Sequence, residues 1–446
     1  MSANDLTASE AAAEIAAGRL TSSELVGACL NKIDETDGQI GAWAHLNREA
    51  AMVRAAECDT IRQSGRPMGP LHGVPVGLKD IIDTKTLPTE RGTPLYAGRQ
   101  PEQDAAVVDK LLDAGAVILG KTVTTELAFL HPSDTKNPAN LAHTPGGSSS
   151  GSAAAVAAGQ VPLALGTQTN GSVIRPAAFC GTFGFKPTRG MISRSGVLET
   201  SKNLDQVGVF ARSLEDVALA TDCLAGYDGR DSCSFARPRP SVHAGWAQEP
   251  PVPPVLVWFD LPYADRMTTD SREGFSEVVA ALGGRVERLE APETFAQLIT
   301  TQRIIHLYEF CQSLDAELRA KWELVSPTLQ PHVEEGRAIS ADQYAQALAE
   351  MTAAGQFFAE FYQDFDAIIA PSAAGEAPLI EQGTGDPVFC TIWTLCGLPA
   401  VTVPALVGDN GLPIGVQLIG NCEEDDRLMR TTKWVLNQLQ QPDGEE

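Results

Sequence analysis

Two glycine turns, each carrying serine, flank a helix of small residues, and few folds accommodate that order. The first turn is Thr144-Pro145-Gly146-Gly147-Ser148-Ser149-Ser150-Gly151-Ser152, and alanines follow at helical density from Ala153 to Gly159. The stretch closes with Leu163-Ala164-Leu165-Gly166-Thr167-Gln168-Thr169-Asn170-Gly171-Ser172-Val173-Ile174-Arg175-Pro176. A glycine-serine run alone reads as a flexible linker, but a linker is not followed at once by such a helix and an apolar strand. Glycine takes positive φ freely and asparagine tolerates it, so Asn170-Gly171 predicts a sharp turn that leaves successive backbone N–H groups pointing outward, as an oxyanion requires. Ser172 sits at that turn. Arg175-Pro176 then opens a helix whose N-terminus favours developing negative charge, which makes Ser172 a candidate nucleophile.

Upstream, Val74-Pro75-Val76-Gly77-Leu78-Lys79-Asp80 predicts a short buried strand with a lysine at its end. Two roles fit that lysine. One is a buried ion pair with Asp80 or another carboxylate; the other is a general base, which needs desolvation to bring its pKa down from the ~10.4 of a free lysine.

These residues resemble the amidase signature family, serine hydrolases that use two serines and a lysine in place of histidine and aspartate. The resemblance extends to Gly69-Pro70-Leu71-His72-Gly73-Val74-Pro75-Val76-Gly77-Leu78-Lys79-Asp80 and to Gly397-Leu398-Pro399-Ala400-Val401-Thr402-Val403-Pro404 with Gly411 to Gly420. It covers most of residues 5 to 225 and 340 to 435 and leaves the middle weakly matched. It implies an α/β fold with a large mixed sheet covered by helices on both faces. An N-terminal helical layer at 1–65 would pack on an amidase signature domain at 66–446, whose variable, mainly helical segment at about 260–365 walls the substrate pocket. By the same resemblance Lys79, Ser148 and Ser172 are catalytic, the Gly147–Ser148 peptide is cis, and the N–H groups of Thr169, Asn170, Gly171 and Ser172 form an oxyanion hole. Gln168 and Arg175 are candidate substrate-binding residues. Gln168-Thr169-Asn170-Gly171-Ser172 departs from the Asp-Thr-Gly-Gly-Ser of many members, losing one charge and one glycine. Arg175, one helical turn from Ser172, either meets a substrate carboxylate or makes a structural ion pair.

The activity implied is hydrolysis of the C–N bond of small-molecule carboxamides, with aryl amides and carbamates (urethanes) open to the same acyl chemistry. No metal or cofactor enters it, and a homodimer is the candidate assembly. An alternative is the ammonia-supplying subunit of a tRNA-dependent amidotransferase, against which Gln168 and the divergent middle segment argue. A non-catalytic relative is disfavoured because all three catalytic positions are filled. Neither His72 nor His143, the histidines nearest the motifs in sequence, is required.

Composition narrows the partners. The 57 acidic against 33 basic residues give a net charge of −24, which repels nucleic-acid phosphates and anionic membranes. The start, Met1-Ser2-Ala3-Asn4-Asp5, lacks a basic region and apolar core, and no apolar run reaches membrane-spanning length, so a cytoplasmic protein is expected. Nine cysteines without a Cys-x-x-Cys pair signal neither a disulfide framework nor a zinc site. Gly115 to Thr122 fits the phosphate-loop pattern, but its four intervening residues, Ala-Val-Ile-Leu, belong in a strand. Ser133-Asp134-Thr135-Lys136 fits S-x-x-K, yet Asn137-Pro138 disfavours the helix that chemistry needs.

The remaining pattern predicts helix over most of 7–65, with capping boxes at Thr7/Glu10 and Thr21/Glu24. Helix is also expected from Asp104 to Ala114, after Ser213, and over most of 272–365. Strands are expected at 116–119, 255–259, 366–371, 400–404 and 414–419.

Overall fold

In the computed structural model, which describes residues 2–440, eleven strands make one mixed sheet. In chain order they are β1 (Trp43–Leu46), β2 (Pro75–Lys79), β3 (Val117–Thr122), β4 (Leu163–Gln168), β5 (Phe183–Lys186), β6 (Gln206–Ala211), β7 (Leu256–Asp260), β8 (Val286–Glu290), β9 (Ala367–Pro371), β10 (Ala400–Val407) and β11 (Pro413–Ile419). Their spatial order is β1-β3-β2-β4-β6-β5-β10-β11-β9-β7-β8. β2 runs parallel to both β3 and β4, with Val76 opposite Leu163 and Leu78 opposite Leu165, so the ends of β2 and β4 lie side by side. That juxtaposition places Lys79 against the turn after Gln168.

Side chains of a strand alternate between faces, and here both faces are covered. Val117, Leu119, Ala164 and Phe210 point into one apolar core with the helices Ala8–Ala16, Ser22–Ile40 and Ser150–Ala157. Val76, Leu78, Leu163, Leu165 and Val209 point into the other, with the helices Leu214–Leu224 and Thr294–Ala320. Both capping boxes form, Thr7 accepting from the Glu10 N–H and Thr21 from that of Glu24.

The small-residue helix owes its composition to where it lies. Ser150 through Val156 are all buried, and a Cβ on Gly151 would come 2.2 Å from the Ala42 carbonyl oxygen and 2.4 Å from the Val123 nitrogen. Only glycine lets that helix approach two backbones at once. Gly166 on β4 is constrained in the same way, a Cβ there falling 2.5 Å from Ser149 Oγ.

Strands β1 and β8 interrupt regions expected to be helical. Both are sheet edges, four and five residues long, and Val286-Glu-Arg-Leu-Glu290 carries charge at three positions, as edges do. Neither offers the apolar run that marks the buried strands. Among the described residues no helix is long and apolar enough to cross a membrane.

Replacing Gly151 by alanine should destabilise the protein by about 1–3 kcal/mol through overpacking, read as a lower urea midpoint. Gly27→Ala, where nothing lies within 4 Å of the new methyl, should be neutral or stabilising by up to ~1 kcal/mol. Equal midpoints for the two variants would contradict this account of the helix.

Candidate active site

Lys79 ends β2 with no exposed surface. Its Nζ donates to Ser148 Oγ at 2.6 Å and to Thr167 Oγ1 at 2.9 Å. Burial holds its pKa well below the ordinary lysine value, opposed only by the more distant Asp205 carboxylate. The ion-pair alternative fails on geometry: Asp80 turns to the buried Lys121, 3.0 Å away. An amine facing two hydroxyls and no carboxylate loses solvation without gaining a counter-charge, which favours the neutral base.

Ser148 follows a cis peptide bond from Gly147 and is buried. The turn that presents it is held from several sides. Arg175 Nη2 donates to the Gly147 carbonyl at 2.6 Å and Ser150 Oγ to that of Gly146 at 2.9 Å. Ser149 Oγ exchanges hydrogen bonds with the backbone of Thr167, and Ser152 Oγ donates to the Leu165 carbonyl. Three of the four serines in Ser148 to Ser152 thus fasten the turn and the helix it opens, and leave one facing the lysine.

The turn after β4 does not form as expected. Neither Asn170 nor Gly171 adopts a positive φ; the bend is imposed by the Gln168 side chain, whose Oε1 accepts from the Val173 and Ile174 N–H groups while Nε2 donates to Thr394 Oγ1. Gln168 is therefore engaged within the protein and is not among the residues lining the cavity beside Ser172, where its expected substrate-binding role would place it. Space at Gly171 is tight, since a Cβ there would sit 3.0 Å from Pro387 Cβ. The Asn170 carboxamide bridges two helices, accepting from Thr391 Oγ1 at 2.8 Å and donating to Gln302 Oε1 at 3.3 Å. Thr169 Oγ1 donates to Asp205 Oδ1 at 2.6 Å. With Val173 and Ile174 engaged, the N–H groups of Thr169, Asn170, Gly171 and Ser172 carry no partner among the described residues. They form a set of free donors at the turn.

Ser172 is half-buried and lines a cavity of about 230 Å³. Phe129, Leu130, Ile299, Leu307 and Val388 give it apolar walls. Arg175 also reaches it but makes neither of the contacts considered from sequence. Its guanidinium spans the carbonyls of Gly147 and Gly385, and burial lowers its pKa to about 10.

Three residues escaped the sequence. Thr167 and Asp205 act on Lys79 and Thr169 through contacts between residues far apart in the chain, for which no local spacing exists. His306 stands in the cavity wall, its ring 4.9 Å from that of Phe129, and burial lowers its pKa to about 4. His72 and His143 instead bond the Cys58 and Ala377 carbonyls away from the cavity. No three His, Cys, Asp or Glu side chains among the described residues converge as metal ligands do.

A lysine base works when neutral, so its active form accumulates above its folded pKa. The acid-side limb of kcat/KM should therefore rise with pH, lie below the range of free lysine because burial lowers Lys79, and disappear in Lys79→Ala with a loss of about 10²–10⁴ in rate. A limb that survives in Lys79→Ala and vanishes in His306→Gln would assign the base to the histidine instead.

Comparison with known proteins gives a consistent family. The family model described as Amidase matches residues 24–429. The A-subunit of glutamyl-tRNA(Gln) amidotransferase from Chloroflexus aggregans is 35% identical over 95% of this chain and 94% of its own. Its counterpart of the same name from Streptomyces coelicolor is 34% identical over 95% of this chain and 94% of its own. Among solved structures, one reported as "An unexpected vestigial protein complex reveals the evolutionary origins of an s-triazine catabolic enzyme" superposes with a TM-score of 0.92 at 28% identity, over 98% of this chain and 99% of that one. Native peptide amidase from Stenotrophomonas maltophilia superposes with a TM-score of 0.86 at 28% identity, over 98% and 97%.

Proposed function

The chain belongs to the amidase family, and on that premise we propose that it hydrolyses the C–N bond of a small carboxamide through an acyl-enzyme on Ser172. The observation that carries the proposal is the 2.6 Å hydrogen bond from the buried amine of Lys79 to Ser148, beside a serine turn whose N–H groups from Thr169 to Ser172 are free among the described residues. In this reading Ser172 Oγ attacks the carbonyl carbon and its proton passes to Ser148, which gives its own to Lys79 Nζ. The oxyanion forms against the N–H groups of Thr169, Asn170, Gly171 and Ser172, a contact of about 3–4 kcal/mol per donor in other hydrolases. The C–N bond breaks as the proton returns through Ser148 to the leaving nitrogen. Water then enters, loses a proton to the same relay and cleaves the ester. Carbamates present the same carbonyl and fall within the same chemistry.

A second reading, in which the chain supplies ammonia within a glutamyl-tRNA(Gln) amidotransferase, is favoured by the names of its curated relatives, 30–35% identical along nearly their whole length. Those names support it better than they support a free-standing amidase. The side chains around Ser172 support the free-standing enzyme, since the same relay would serve glutamine but the exposed arginines of the cavity, Arg266 and Arg303, are already paired with Asp386 and Glu335.

The isolated chain, followed by gel filtration and ammonia release, should hydrolyse amides without added subunits or tRNA. Ser172→Ala should lower kcat by at least about a thousandfold with the elution volume unchanged, and EDTA should have no effect. Release only in the presence of partner subunits would transfer the protein to the second reading, and full activity of Ser172→Ala would remove the nucleophile.

A further inference from the structure

Of the three arginines around the Ser172 cavity, Arg266 and Arg303 meet carboxylates, whereas Arg175 meets carbonyls alone and its buried Nε has no partner among the described residues. Arg175 is taken up by the Gly147 and Gly385 carbonyls. Arg303 forks onto the Glu335 carboxylate, its Nε 2.7 Å from Oε1. At the rim, Arg266 Nη1 lies 2.7 Å from Asp386 Oδ2. His306 is neutral above about pH 4 and adds no charge at ordinary pH. Besides Ser172 and the groups just named, the wall's polar side chains are engaged within the protein, Thr169 with Asp205 and Asn170 with Gln302 and Thr391. The remainder is apolar, and the volume of about 230 Å³ falls below the ~300–1,000 Å³ of drug-sized ligand sites. A small acyl group fits.

Arg266 and Asp386 decide what charge that group carries, because both members of this half-exposed pair line the cavity, 52% and 40% exposed, whereas of the Arg303–Glu335 pair only the arginine does. Asp386 is restrained where it stands: its other oxygen accepts the Val388 N–H at 3.0 Å, at the start of the helix Val388–Leu395. A carboxylate that approached Arg266 would therefore come up beside a carboxylate of like charge. The net charge of −24 works in the same direction. A zwitterion such as glutamine would have to break the pair to use either member.

We infer that the cavity selects amides whose acyl group is uncharged, apolar and small, such as an aryl or branched alkyl group, and that Asp386, by matching Arg266, is the residue that excludes acyl groups bearing a carboxylate. The inference rests on the amide chemistry proposed above and adds a substrate class to it.

The test is ammonia release by the full chain from benzamide, from succinamate (the monoamide of succinic acid) and from glutamine. In the wild type, kcat/KM for benzamide should exceed that for succinamate and for glutamine by at least a hundredfold. Asp386→Asn, whose side-chain oxygen can still accept from Val388, leaves Arg266 unmatched and should raise the succinamate to benzamide ratio at least tenfold. Adding Arg266→Gln should return the ratio to its wild-type value. Preference of the wild type for succinamate or glutamine, no release from benzamide, or a ratio unmoved by Asp386→Asn each overturns the inference. Hydrolysis of any of the three that is lost in Ser172→Ala leaves the underlying chemistry standing, so the two failures are distinguishable. If Asp386→Asn does not fold, the wild-type ranking and Arg266→Glu, expected to lower the succinamate ratio further, decide the matter, and an unchanged ratio in Arg266→Glu counts against the inference.

Discussion

The site depends on an unfavourable act, the burial of the Lys79 amine without a carboxylate to meet it. Taking an ammonium out of water costs several kcal/mol unless a counter-charge compensates, and here two hydroxyls receive it. The group responds by giving up its proton more readily. The contrast with Lys121 is instructive, since that lysine is also buried but faces Asp80 at 3.0 Å. Two lysines on adjacent parallel strands thus differ in chemistry because one carboxylate points to one of them and away from the other.

Holding such an amine in place requires a rigid surround, which the serine-rich turn and its partners supply. Ser149, Ser150 and Ser152 fasten the small-residue helix, Gln168 imposes the bend after β4, and Arg175 grips the Gly147 carbonyl next to Ser148. Asn170 extends the restraint outward, since its side chain joins the turn to Thr391 and to Gln302 on the long helix Thr294–Ala320. The weakly matched middle of the chain is therefore hydrogen-bonded directly to the turn that carries Ser172. Changes in that helix can alter what is bound and how the turn is held.

The sequence made much of this legible where local pattern and chemistry coincide. Val76 and Leu78 beside Lys79 announced a buried strand, and the capping boxes located two N-terminal helices. The amidase resemblance drew Lys79, Ser148 and Ser172 together from positions far apart in the chain. What escaped was set by contacts across the fold. Gln168 and Arg175 looked like substrate ligands because they flank Ser172 in sequence, whereas their side chains turn inward to Val173, Ile174 and two carbonyls. Asn170-Gly171 looked like a left-handed turn because the composition permits one, and the Gln168 carboxamide made it unnecessary. Thr167, Asp205 and His306 carried no signal, for their partners lie far away in the chain. The edge strands β1 and β8 were missed because an edge needs charge more than an apolar run.

The most direct measurement is mass spectrometry of the enzyme quenched in acid during turnover of a slowly hydrolysed amide or aryl ester, followed by proteolysis and peptide mapping. The account predicts an added acyl mass on the peptide containing Ser172, appearing with substrate and decaying as it is exhausted, and absent from Ser172→Ala. Acylation of Ser148 or of a cysteine in the wild-type enzyme, or turnover without any covalent species under conditions where deacylation is slowed, would contradict it.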